Sequence, residues 1–228
     1  MHILLTDILS CPRCGPEFGL VLLADRVEER RVLGGRLGCP NCREQYPVRG
    51  GVLDARLSTA VPADRAGSSE EAGSSEDTAA TDPGAAVRLA ALLGLADARG
   101  TVLIAGPGAA LAAEVAALVP ELEVVALAAE PAEGAERPGV SRIAAGAGLP
   151  FRARTLRGVA LTGGADPALL AEGVRVLQPG ARLVVERAPA GAGELLSSLG
   201  AQVMLEQEGT VVARALGDPV PLRMNAVR

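Results

Sequence analysis

The sequence predicts an α/β chain with two folded parts. A small cysteine-stapled ribbon comes first, then a mostly parallel seven-stranded sheet with helices on both faces. Three observations predict this. Two Cys-x-x-Cys pairs, Cys11/Cys14 and Cys39/Cys42, fall within the first 57 residues. Beyond residue 85, stretches of helical and strand periodicity alternate, as βαβ units do. One apolar run, 102-VLIAGPGAALAAEVA-116, ends in Gly-x-Gly and opens into an alanine-rich helix, the outline of a loop that holds a nucleotide.

Composition divides the chain into residues 1–57, 58–84 and 85–228. The first part holds all four cysteines and much Gly-turn punctuation. The second is Ser, Ala, Gly and acid, too poor in apolar side chains to offset chain entropy, so it reads as a disordered acidic linker. In the third, a helix is expected near 85–97 and a strand at 101–105. A helix near 109–119 carries Leu111, Val115 and Leu118 on one face. Strands follow at 123–128, 140–144 and 157–161. Asp166-Pro167 supplies an N-cap and a first-turn proline for a helix to about Leu177. Gln178-Pro179-Gly180 reads as a turn before a strand at 181–186. A helix near 191–199 stops at Gly200, and strands 201–207 and 210–216 flank the hairpin signal Glu208-Gly209. Five strands are expected to be parallel, ending in an antiparallel pair.

Composition also excludes chemistries. The 228 residues include only Phe18, Tyr46 and Phe151 as aromatics, so the core must be Ala, Val and Leu. All 22 basic residues are arginine, which removes lysine Schiff-base chemistry. His2 is the one histidine, and a His-centred triad is therefore disfavoured. The net charge of −5 resides in residues 58–84, where six acids face Arg65 alone. The folded parts balance, without the basic surplus of a nucleic-acid reader. No run is long enough to span a bilayer, and MHILLTDILSC is too short in its apolar core for a signal peptide. The expected compartment is the cytoplasm, where four cysteines favour metal over disulfides.

Two knuckles with two-residue spacers, separated by residues 15–38, can turn four sulfurs toward one point. Such an S4 cage suits Zn²⁺, and four thiolates leave no open coordination position, so the metal would be structural. Around the knuckles, LLTDILSCPRC and CPNCREQYPVRGGV resemble the tRNA methyltransferase 112-like zinc-ribbon family over residues 2–54, with Val52 for the usual Ile and Leu53 for the usual Pro. The resemblance implies a small domain that binds and stabilises methyltransferases along a strand edge. Tyr46, Pro47, Val48 and Val52 match its post-cysteine strand, where they either dock a partner or pack the ribbon.

The third part is similar to class I S-adenosylmethionine-dependent methyltransferases, a Rossmann-like fold, on 102-VLIAGPGAA-110, 149-LPF-151 and 175-RVLQPGARLVV-185. The resemblance covers about residues 85–216. It implies cofactor contacts at Gly106 and Gly108, both present. It also implies four acidic positions, which hold Ile104, Ala128, Ala145 and Arg157 instead. Losing two or three charge-assisted hydrogen bonds of about 1.5–3 kcal/mol each would cost some 10²–10⁴ in affinity. Glu130, two residues past the expected ribose carboxylate, is the one local substitute. Without a cofactor, the glycines would serve a tight turn alone. Thr162-Gly163-Gly164-Ala165 reads as a post-strand loop or a small anion loop, and Glu172, Glu186 and Glu194 as surface or strand-end charges.

The expectation is a zinc-binding, non-catalytic scaffold or regulator related to methyltransferases, a pseudoenzyme that has lost S-adenosylmethionine. Its partner would be a methyltransferase or itself, reached through the ribbon's strand edge, with no membrane involved and nucleic acid disfavoured. The alternative is an active enzyme with an atypical pocket and a built-in ribbon activator. A ribbon that binds RNA or DNA is a third reading, disfavoured because the eight arginines and seven acids of residues 1–57 nearly balance.

Overall fold

A computed structural model of the chain describes residues 1–57, 82, 84–96, 98–130, 136–146 and 148–217. The linker expected over 58–84 lies outside the described residues except for Asp82 and Gly84. The ribbon opens with a 3-10 turn, Ile3–Asp7. Short strands β1 (Ser10–Cys11) and β2 (Gly15–Gly19) pair only with each other. Strands β3 (Val21–Glu28), β4 (Arg31–Gly38), β5 (Gln45–Arg49) and β6 (Val52–Asp54) then form an antiparallel meander.

The second part follows the expected alternation. It comprises α1 (Ala85–Leu93), β7 (Gly100–Ala105), a 3-10 turn at Pro107–Leu111, α2 (Ala112–Leu118), β8 (Leu122–Ala128) and β9 (Val140–Ala144). These are followed by β10 (Leu156–Leu161), α3 (Pro167–Val176), β11 (Leu177–Glu186), α4 (Ala192–Ser198), β12 (Ala201–Gln207) and β13 (Thr210–Ala215). Asp166 caps α3 as its sequence suggests: the Asp166 carboxylate accepts from Leu169 N at 2.7 Å, with Pro167 in the first turn.

One detail departs from the sequence reading. Gln178-Pro179-Gly180 is no free turn but a bulge within β11, between the pairs Leu156–Leu177 and Gly158–Arg182. The expected antiparallel terminal pair is present as a hairpin at the edge of the sheet. β13 inserts between β11 and β12, antiparallel to both, so β12 runs parallel to the other five.

The order across the sheet is β12-β13-β11-β10-β7-β8-β9-β6-β5-β4-β3. Within residues 85–217 this is a doubly wound sheet whose strand order reverses between β7 and β10. Helices α1 and α2 cover one face, with Leu89, Leu93 and Val115 against Val102, Ile104 and Val124. Helices α3 and α4 cover the other, with Leu170, Val176 and Leu196 in one buried cluster with Leu103, Leu161 and Leu183. That cluster continues into the ribbon through Leu5, Leu9, Leu37, Tyr46 and Leu53.

The ribbon is thus joined to the second part by both backbone and core. β6 pairs with β9 in parallel, Val52 to Arg142 through Asp54 to Ala144, and Ala55 N extends the ladder to Ala144 O at 2.7 Å. β9 would otherwise be an edge with open amides and carbonyls. A second bridge ties Leu9 to Phe151, with Ser10 N donating to Pro150 O and Arg152 N to Ile8 O. The segment 149-LPF-151 is therefore part of the ribbon's dock. A polar clamp closes the seam: Arg31, from β4, reaches Glu123 on β8 at 2.8 Å and Glu136 at 2.9 Å. The open edge of the ribbon, β3, is kinked by bulges at Asp25 and after Arg26, a common protection against edge pairing.

Candidate metal centre and strand-tip cleft

Cys11 ends β1, and a three-residue loop brings Cys14 back beside it. Cys39 follows β4, and the turn to Cys42 closes through Arg43 N to Cys39 O and Cys39 N to Glu44 O, both 2.9 Å. The four Sγ atoms all lie within 4.8 Å of one another. Two of the separations are Cys11–Cys42 at 3.7 Å and Cys14–Cys39 at 3.8 Å. Zinc–sulfur bonds of about 2.3 Å in a tetrahedron put sulfurs about 3.8 Å apart. The sulfurs therefore fit a zinc ion and stand far outside disulfide distance.

The cage also has the outer support that thiolate ligands need. Cys14 N points at Cys11 Sγ (3.4 Å) and Asn41 Nδ2 at Cys14 Sγ (3.3 Å). The Tyr46 hydroxyl lies 3.3 Å from Cys11 Sγ. Burial, then the contact with Cys11, pushes the Tyr46 phenol well above its ordinary value. Tyr46 and Val48 are buried in the ribbon while Val52 pairs with β9. The post-cysteine segment therefore both packs and docks.

At the carboxyl ends of β7, β8 and β10 lies a cleft of about 280 Å³, walled by Ala105, Gly106, Ala128, Ala145, Leu149 and Thr162 among others. This is where open α/β sheets bind ligands. Ile104 is fully buried under α1 and α2. Ala128 and Ala145 give the strand tips methyl groups only, and Ala145 N is used by Ala128 O. Glu130 is not among the cleft residues. Its carboxylate, 80% exposed, pairs with Arg56 of the ribbon at 2.6 Å. Arg56 in turn clasps Asp54 at 2.8 Å.

The glycine loop is held by Thr162. The Thr162 hydroxyl accepts from Gly108 N and donates to Ala105 O, both at 2.7 Å. Gly106 sits at φ +86, and a Cβ there would stand 2.0 Å from the Thr162 carbonyl oxygen. A Cβ on Gly108 would meet Thr162 Cγ2 at 2.6 Å and Oγ1 at 2.8 Å. The two glycines thus have a use that needs no ligand, the close approach of two loops. Gly108→Ala is expected to cost about 1–3 kcal/mol by overpacking. In a double-mutant cycle by urea unfolding, Thr162→Ala should recover much of that loss. Gly106→Ala should stay uncorrected, because backbone and positive φ oppose it.

Three residues that bear on the site carried no clear sequence signal. Thr162 was legible only as part of a loop. Glu172, read as a surface charge, walls the cleft and forks with Arg175 at 2.6 and 2.7 Å while accepting from Leu149 N. Burial alone would raise the Glu172 carboxyl; the Arg175 guanidinium outweighs it and holds the group below its ordinary value. Arg175 also donates to Phe151 O at 2.7 Å and Leu149 O at 3.1 Å. It thereby fixes the strap that meets the ribbon. Behind that strap a second cavity of about 350 Å³ opens between Cys11, Arg56 and Arg175.

Residues 2–51 match the family model described as Trm112p-like protein. No curated protein matches the chain in sequence. Among solved structures, the antibiotic-resistance methyltransferase Kmr is similar at 16% identity and TM-score 0.43, over 58% of this chain and 93% of that one. A chain from the complex between the Haloferax volcanii Trm112 methyltransferase activator and its putative methyltransferase aligns at 15% identity and TM-score 0.42, over 57% and 89%. Geranyl diphosphate methyltransferase, solved with GPP and sinefungin, aligns at 13% and 0.47, over 57% and 78%. These likenesses concern the fold alone. The described residues include no helix long and apolar enough to cross a membrane.

Proposed function

We propose that a Trm112p-like region, docked in cis on a methyltransferase fold, makes this chain a zinc-bearing, non-catalytic scaffold or regulator that has lost S-adenosylmethionine. The observation that carries the reading is the strand-tip cleft. Among the described residues, the tips of β7, β8 and β9 offer the cleft no carboxylate: Glu130 is turned away to Arg56, and the two acids that do line the cleft are engaged, Asp166 in capping α3 and Glu172 in its fork with Arg175. The Gly108 amide that a cofactor would approach is already taken by Thr162. At about 280 Å³ the cleft also falls just below the range of ordinary small-molecule sites, roughly 300–1,000 Å³. Four thiols held as a metal cage suit a reducing compartment such as the cytoplasm.

Docking in cis bears on partners as well. The ribbon edge that would take a methyltransferase is paired with β9 of the same chain. Another methyltransferase, or a second copy, must displace that pairing to use it.

Calorimetric titration with S-adenosylmethionine and S-adenosylhomocysteine tests the reading. No heat of binding is expected up to millimolar ligand, and micromolar binding would overturn it. The second reading, an active methyltransferase with a built-in ribbon activator, draws support from the adjoining 350 Å³ cavity below the Cys11 knuckle. It requires that same micromolar binding.

A further inference from the structure

The ribbon's arginines balance its acids in number but not in placement. Cross-strand partners share one face of a sheet. One row runs Arg26–Gly34–Arg49–Val52–Arg142 across β3, β4, β5, β6 and β9, and continues through Ala126 to Ile104 beneath α1 and α2. The next row is Leu23–Arg36–Pro47. On the ribbon side no helix among the described residues covers this face. Arg36 and Arg49 are exposed, and neither has a hydrogen bond or ion pair among the described residues. Arg26 pairs with Glu28. Nearby acids are Asp25, at the bulge, and Asp54, which Arg56 occupies.

The face is also grooved. Gly34 and Gly38 flank Arg36 on β4; a Cβ at Gly34 would have only Arg26 Cβ, at 3.8 Å, within reach. The trough of about 680 Å³ is lined by Arg26, Gly34, Arg36, Gln45, Pro47 and Arg49 among others. The two arginine rows are one i, i+2 step apart, about 6.6–6.8 Å, comparable to the phosphate repeat of an extended single strand.

From this placement we propose that the uncovered face of the ribbon sheet binds the phosphodiester backbone of single-stranded nucleic acid, lying along β4 and gripped by Arg26, Arg36 and Arg49. Guanidinium forks suit phosphate oxygens. An acidic peptide fits less well. Extended peptides bind sheets by adding to an edge, whereas β4 is paired on both sides and has no backbone groups to offer. With no aromatic residue on this face, base stacking is absent and the contact is indifferent to sequence. The proposal goes beyond the reading of the adenosyl cleft and does not depend on it.

The test is fluorescence anisotropy of the full chain with a labelled oligouridylate across a salt series. Three arginine contacts predict a fall of log K with log salt of slope about 2. The double variant Arg36→Glu/Arg49→Glu should weaken binding at least tenfold at fixed salt, with zinc content and thermal midpoint unchanged. Three results would overturn the proposal: no binding at low salt, binding indifferent to the double variant, or a polyglutamate peptide bound as tightly through the same two arginines.

Discussion

Stripping the metal from the full chain is expected to destabilise all of it in one step, not the ribbon alone. A structural zinc contributes about 10–16 kcal/mol of apparent binding energy, and a 57-residue ribbon has little core of its own to replace it. If the ribbon melts, β9 loses its neighbour β6 and becomes an open edge. Phe151 and Leu149, both buried, lose the Leu9 and Ser10 segment that covers them. The hydrophobic cluster that holds Leu5, Leu37 and Tyr46 also holds Leu103, Val125 and Ile143, so this core crosses the seam without a break at which unfolding could halt. Should only about 5 kcal/mol of the metal's contribution reach the global transition, the midpoint falls by roughly 10–20 °C for a chain of this size. Calorimetry with and without a zinc-specific chelator, with released metal followed by a colorimetric reporter, reads this directly. Two separate transitions, with the upper one unmoved by chelation, would show that the seam is weaker than its contacts indicate.

The sequence made the parts legible and left their joining obscure, for identifiable reasons. The cage is local: two short loops with fixed spacing place four sulfurs, so a pair of motifs suffices to see it. The βα alternation was equally readable, since β7, β8 and β10 are apolar runs bounded by turns. The dock was not. β6 has three residues, too few to show any period. Its partner β9 looks like any buried strand, and a pairing between residues 52–54 and 142–144 leaves no mark on either segment. The Pro-Gly at 179–180 reads as a stop, yet β11 continues through it because the parallel neighbour β10 tolerates a bulge there. The glycine loop is the most instructive element. Gly106 and Gly108 look like a nucleotide turn by composition, and only Thr162, more than fifty residues on, gives them a use without a ligand. A small residue in a turn records a close approach without saying what approaches.

The seam's polar clamp should be the most damaging single position. Arg31 is one of eight ribbon arginines and unremarkable in sequence, yet its side chain is 12% exposed and opposite Glu123, 14% exposed, and Glu136, 25%. It also donates to the Val140 carbonyl, while the Ser141 hydroxyl bonds Glu123 and accepts from His2 N at 2.8 Å. Arg31→Met keeps the stem and removes the charge. Two carboxylates are then left in a partly dry seam with one fewer cation, and removing one partner of a buried pair costs about 3–5 kcal/mol. Urea unfolding of the full chain should show a loss of that size. Adding Glu123→Gln should restore part of it, because the penalty is an uncompensated charge and not a missing volume. Arg31→Lys should fall between, since a point ammonium cannot serve Glu123, Glu136 and Val140 O together as the planar fork does. If Arg31→Met is nearly neutral, the clamp is incidental, and the seam is held by the β6–β9 ladder and the shared apolar core without it. A full loss with no recovery on Glu123→Gln would instead place the cost in packing against the 3-10 turn. Only the partial recovery marks Arg31 as the electrostatic link between ribbon and sheet.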